Sequence, residues 1–196
     1  MLKPFTEQGE FIHSFIFRMQ DTTGFKDFSN IVSTTGRWKE YIYIHKNTGF
    51  IFERHNESDL IQLLRNTGFD KKYTVQGRAQ ELTKPTKYLE DLQKLINPTS
   101  KPRGLMIPNF MSREVRFCKS CMNEFIKEYG TGFFKGHWQV SKYCNTHQIP
   151  LLLLKASAKN TSIQNIRRII RGELLNEVQE FELKEEDLFV SPQLFA

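Results

Sequence analysis

Between residues 10 and 23 the chain reads EFIHSFIFRMQDTT. Its apolar residues recur at helical spacing, with Phe11, Phe15 and Met19 at four-residue steps and Ile12 and Ile16 beside them. This pattern predicts a helix with one wide buried face. Gly24 follows as its C′ residue, with Phe25 as the apolar companion. Asp27 then stands where it would cap a second short helix through Phe28, Ile31 and Val32, so the opening reads as helix-turn-helix-like. The period changes at YIYIH (41–45) and GFIFER (49–54), two β-rich runs separated by Lys46-Asn47-Thr48, which predict a hairpin. Helical spacing returns in ESDLIQLLRNTGF, with Ser58 as cap, Leu60, Ile61 and Leu64 on one face and Gly68 as terminator. It returns again in TKYLEDLQKLI (86–96), bounded by Pro85 and Pro98.

PTSKPRG (98–104) has linker composition. IPLLLL (149–154) is the longest aliphatic run and is strand-sized. NTSIQNIRRIIRGELLNEV predicts one regular helix, whose stripe runs through Ile163, Ile166, Ile170, Leu174 and Val178. Arg167, Arg168 and Arg171 fall mostly off that stripe. The chain then passes into an acidic, aromatic tail, FELKEEDLFVSPQLFA.

Composition narrows the class. At 196 residues, 39% hydrophobic and 26% charged, with 17 phenylalanines, the chain has the apolar surface a folded domain needs. No apolar run reaches membrane-spanning length, and the first residues lack the basic and apolar pattern of a signal peptide. The expected address is therefore the cytoplasm, where thiols stay reduced. The net charge of +6 is unevenly placed: from Glu173 onward there are seven acidic residues and one basic, which leaves +12 on residues 1–172. A body that basic favours a polyanionic partner such as DNA. Lys135, Arg167, Arg168 and Arg171 are the candidate phosphate contacts, set against the plainer alternative of a packing helix with a solvated basic flank.

All three cysteines fall in one window, FCKSCMNEFIKEYGTGFFKGHWQVSKYCNTH. Cys118 and Cys121 form one pair with two residues between them, and Cys144 and His147 form another with the same gap. Tetrahedral zinc takes four N or S ligands, and a two-residue gap lets the backbone turn so that its amides face the sulfurs while both side chains reach one ion. The pattern C-x2-C-x22-C-x2-H uses every cysteine. His137 is an alternative fourth ligand without a short chelating partner, and a redox role for Cys118 and Cys121 is a weaker alternative. Four ligands close a site, whereas catalytic zinc keeps an open position, so the expected zinc is single and structural. Neither a phosphate-binding glycine loop nor a nucleophile elbow occurs, and no His-x-Glu precedes the first pair as in zinc deaminases. A non-enzymatic protein is expected. The fold class that follows is α+β and mainly helical: a helical region with a β-hairpin over 1–104, a small treble-clef-like zinc module over 105–158, and an amphipathic helix with an acidic tail over 159–196.

The order of features within this window carries a resemblance. RFCKSC, YGTGFF and HWQVSKYCNTHQIPLLLL, together with an N-terminal segment in which Pro4, Glu10, Ser14, Phe15, Arg18 and Gly24 fall at matching places, resemble the TniQ family of transposition target-selection proteins. The likeness covers about 4–30 and 113–155. It departs in lacking the second set of zinc-binding cysteines that many members carry, and in ending before the C-terminal DNA-reading domain of longer relatives. It implies an adaptor that selects a DNA target, directly or on an RNA-guided Cascade complex, and recruits an AAA+ ATPase, with homodimer formation left open. In such a protein Trp138 is a core prop, and Cys118, Cys121, Cys144 and His147 hold zinc. A zinc-stabilised DNA-binding transcription regulator is the runner-up.

Overall fold

The computed structural model describes residues 4–52, 54–69, 71–73, 79–81, 85–96, 104–107, 111–173 and 178–181. Most of the acidic tail, most of the 98–104 segment and Leu174 lie outside the described residues.

Helix α1 (Ile12–Thr22) is the centre of the fold. Every residue from Ile12 to Gln20 is buried, including His13, Ser14, Arg18 and Gln20. The expected apolar face is present, but neighbours cover the other faces too, as for a helix inside a core. No side chain of its own caps its start. Instead the Thr67 hydroxyl accepts from Ile12 N–H at 3.0 Å, and the Phe134 carbonyl accepts from Phe11 N–H at 3.2 Å. Gly24 ends the helix in the left-handed region, with Phe25 N–H returning to the Gln20 carbonyl, as the sequence predicts.

The second helix expected after Asp27 does not form. Asp27 accepts from Ser29 N–H, Phe28 to Ile31 turn once, and Val32 bridges to Trp38. Phe28, Ile31, Val32 and Trp38 all enter the core from this irregular segment, so burial and not helical periodicity fixes their spacing. The expected hairpin over 41–54 is also replaced. Tyr41–Ile42 is a strand, β1, but its antiparallel partner is β4 (Leu105–Met106), while Lys46–Phe52 coils into helix α2. The β-rich composition of GFIFER is overridden because β1 finds a distant partner and Ile44 N–H bonds the Leu95 carbonyl. A different hairpin, β2 (Lys71–Tyr73) with β3 (Ala79–Glu81), stands where no strand was expected.

Helices α3 (Glu57–Asn66) and α4 (Pro85–Ile96) match their sequence patterns, with Asn56 rather than Ser58 as the cap of α3. Strand β5 (Arg116–Phe117) leads into α5 (Lys119–Tyr129), and β6 (Leu152–Leu154) pairs with β5 on one side and with β7 (Val178–Glu180) on the other, both antiparallel. Helix α6 (Lys159–Ile170) stops eight residues short of Val178 because Gly172 takes a left-handed conformation and Val178 joins the sheet. Ile163, Ile166 and Ile169 are its buried face. One hydrophobic cluster joins side chains from α1, α3, α5, α6 and the loops between them, with Trp38, Phe134, Phe11 and Phe17 edge-packed at its middle. The molecule is thus mixed helix and sheet around a helical centre. Among the described residues, no helix is long and apolar enough to cross a membrane.

Candidate metal centre

Cys118 is the N-cap of α5 and Cys121 lies in its first turn, so both thiols sit at the positive end of a helix, which favours thiolate. The second pair lies at the tip of a tight hairpin. Tyr143 bridges to Pro150, Leu151 N–H bonds the Lys142 carbonyl, and Cys144 N–H bonds the Ile149 carbonyl. Gln148 closes the tip at φ +55°. In both pairs the amide three residues on faces the sulfur: Cys121 N–H bonds the Cys118 thiol and His147 N–H bonds the Cys144 thiol. The two-residue gaps produce the turn that their spacing predicts.

The structure brings all four expected ligands together. Their donor atoms lie within 4.8 Å of one another. His147 Nδ1 stands 3.6, 3.3 and 3.7 Å from the sulfurs of Cys118, Cys121 and Cys144, and the Cys121 and Cys144 sulfurs are 3.5 Å apart. Sulfurs bound at about 2.3 Å to one tetrahedral ion lie about 3.8 Å from each other, so the cluster is close to coordination geometry. The cysteines are buried and unbridged. Hydrogen bonds from Cys118 and Cys121, then from His137 and the His147 amide, hold the Cys144 thiol far below the ordinary thiol range. The sulfurs of Cys118 and Cys144, aided by burial, push the Cys121 thiol far up. Sulfurs crowded this closely repel one another once ionised. A divalent cation removes that conflict, and this donor set fits zinc.

Two neighbours complete the arrangement. His147 Nε2 meets Glu124 Oε1 at 2.9 Å, which fixes the ring with Nδ1 turned to the sulfurs. The bonds to Cys144 and then to Glu124 raise the His147 pKa. Glu124 sits one helical turn beyond Cys121, a spacing visible in the sequence, but only the fold shows that it reaches His147. His137, the alternative ligand, lies outside the four-donor cluster and hydrogen-bonds to Cys144 from beside it. Trp138, expected as a core prop, is fully buried.

The candidate phosphate contacts are exposed to solvent to different degrees. Arg167 binds Asp21 through Nε at 2.5 Å and lies over the Phe28 ring, which pins α6 to the end of α1. Arg168 binds Glu173 at 2.9 Å. Arg171 is exposed at the C-cap of α6. Lys135 is half-buried, its ammonium 5.0 Å from the Phe125 ring centre. No protein-family model, curated protein or solved structure matches the chain.

Proposed function

We propose that this chain is a non-enzymatic adaptor for DNA transposition whose working shape depends on one structural zinc ion. Cys118, Cys121, Cys144 and His147 would hold the ion in a treble-clef-like arrangement of a helix start and a hairpin tip. Zinc supplies a cross-link there and no reactive position, because four protein ligands fill its preferred number.

The observation that carries this reading is spatial. The segments that resemble the TniQ family, about 4–30 and 113–155, are separated in sequence yet form one structural unit. Glu10, Ser14 and Arg18 make a single buried network, and Ser14 receives the Phe134 amide from the aromatic loop between the two cysteine pairs. Three of the six residues that carry the resemblance at the N-terminus, Glu10, Ser14 and Arg18, therefore belong to the network that docks α1 on the loop between the cysteine pairs. In an adaptor of this kind, one rigid body presents separate faces to the DNA or Cascade complex and to an AAA+ ATPase. Arg168, Arg171 and Lys135 remain the proposed phosphate contacts, with Arg167 given to Asp21.

Two measurements on the purified full chain test the reading. Elemental analysis is expected to return one zinc per chain. A pull-down with an AAA+ transposition ATPase is expected to retain the ATPase. A zinc-loaded chain that captures no ATPase but shifts one specific promoter sequence would favour the transcription regulator instead.

A further inference from the structure

An open groove of about 890 Å³ runs along the surface beside the metal module. One wall is the segment from Ser33 to Tyr41 and the other the segment from Met111 to Arg116, with Trp38 and Gln139 among the buried lining residues. The walls are tied by a main-chain bond from Trp38 N–H to the Arg113 carbonyl at 2.7 Å, and the second wall is held to the Gln139 carbonyl by Ser112 N–H at 2.7 Å. Within the first wall Gly36, at φ +74°, is packed so closely on Ser162 that a Cβ would overlap its hydroxyl. The groove is thus held open by covalent connectivity and backbone bonds, two residues from Cys118.

Its chemistry is one-sided. Arg37, Lys39, Arg113 and Arg116 line it against two carboxylates, Glu40 and Glu114. Both carboxylates are engaged: Glu40 by Arg113 at 3.1 Å and Glu114 by Arg116 at 2.9 Å. Among the described residues, Arg37 and Lys39 meet no carboxylate. The buried indole N–H of Trp38 has no hydrogen-bond partner among the described residues. With both carboxylates paired, the unpaired charge in the groove is that of Arg37 and Lys39. A small-molecule pocket of similar size is mostly apolar, whereas this lining is charged and hydroxylic.

We infer that this groove binds the phosphodiester backbone of a nucleic acid, with Arg37 and Lys39 as its phosphate contacts. The inference rests on the nucleic-acid side of the proposed function and adds to the α6 contacts a second phosphate-binding surface. Phosphates bound there gain charge-assisted hydrogen bonds and release condensed counterions, so affinity falls steeply with salt.

The test is fluorescence anisotropy of a labelled random-sequence DNA duplex with the zinc-loaded full chain, at several salt concentrations. The R37A/K39A double variant is compared with R168A/R171A, and zinc content and circular dichroism verify the fold of each. The groove predicts at least a tenfold loss of affinity at low salt for R37A/K39A and a salt slope shallower by about two. The charge-reversed R37E/K39E variant should bind more weakly still. Equal binding by wild type and R37A/K39A overturns the groove and leaves the functional reading standing. So does a loss confined to R168A/R171A. A wild type that captures the ATPase but has no affinity for duplex also overturns the groove. Full displacement of DNA by millimolar inorganic phosphate would show a small-anion site and overturn the assignment to a polymer.

Discussion

The main-chain N–H of Phe134 donates to the hydroxyl of Ser14 at 2.9 Å, across 120 positions of sequence. That hydroxyl donates in turn to Glu10 Oε1 at 2.8 Å. The Glu10 carboxylate is completely buried and takes two bonds from Arg18, at 2.8 and 2.6 Å, and one from the Phe5 amide at 2.8 Å. Arg18 also lies over the Phe5 ring, 4.6 Å from its centre. A buried ion pair of this kind adds little net stability over an apolar pair, but its partners cannot be separated cheaply.

Arg18→Ala leaves the Glu10 charge buried without its cation and is expected to destabilise the fold by about 3–5 kcal/mol. Ser14→Ala removes one bond to the Phe134 amide and one to Glu10, and is expected to cost about 1–3 kcal/mol. Urea unfolding followed by circular dichroism measures both. A change below about 0.5 kcal/mol in Arg18→Ala would show that the network is not closed as described.

Zinc removal should unfold the module, not merely loosen it. Structural zinc in small sites contributes about 10–16 kcal/mol of apparent binding free energy near neutral pH. Excess chelator, or Cys144→Ser, is therefore expected to abolish the cooperative thermal transition, and added zinc should restore it in the chelated wild type. A wild type whose melting temperature is the same with and without chelator would contradict a structural metal.

Glu124 is expected to act on zinc through His147. Glu124→Ala frees the ring without removing a ligand, and zinc affinity should fall about 10- to 100-fold while stoichiometry stays at one. Competition against a chromogenic chelator reads this directly. Glu124→Gln, which keeps a hydrogen-bonding group, should recover part of the loss. Unchanged affinity in the alanine variant would remove Glu124 from the site.

His13 supplies a pH dependence of known sign. Burial lowers its pKa from 6.5 to about 4, opposed in part by the bond to the Lys39 carbonyl. Above pH 6.5 the ring is neutral in folded and unfolded chains alike. As the pH falls from 6.5 towards 4, the unfolded chain takes up a proton that the folded chain refuses, so stability declines. The decline attributable to this ring approaches about 3 kcal/mol. His13→Gln should lose correspondingly less stability than wild type between pH 7 and 4.5, and parallel stability curves would refute the assignment.

Wherever a local rule decides the outcome, the sequence was informative. Four-residue apolar steps placed α1, and Gly24 ended it. Two-residue gaps between ligands placed the amides against the sulfurs of Cys118 and Cys144. Elsewhere a distant partner overruled the local preference. The Tyr41–Ile42 strand pairs with Leu105–Met106 and not with the nearby GFIFER run, which becomes α2. The stripe through Ile163 and Ile166 continues on paper to Val178, but Gly172 breaks it and β6 captures Val178. Glu124 was visible as a residue near Cys121, yet its contact with His147 crosses from a helix to a hairpin tip.

The four residues that cluster as candidate metal ligands could be named from the sequence, because the chelating reach of short pairs depends on covalent spacing and on donor chemistry. The basic body and acidic tail are determined in the same way, since charge is additive along a chain. Tertiary structure alone decided that α1 is buried on every side, that its Glu10–Ser14–Arg18 network locks onto Phe134, and that Arg37 and Lys39 share one groove with Arg113 and Arg116. Those relations depend on contacts between residues far apart in the chain, and which distant surfaces meet is fixed by the packing of the whole core.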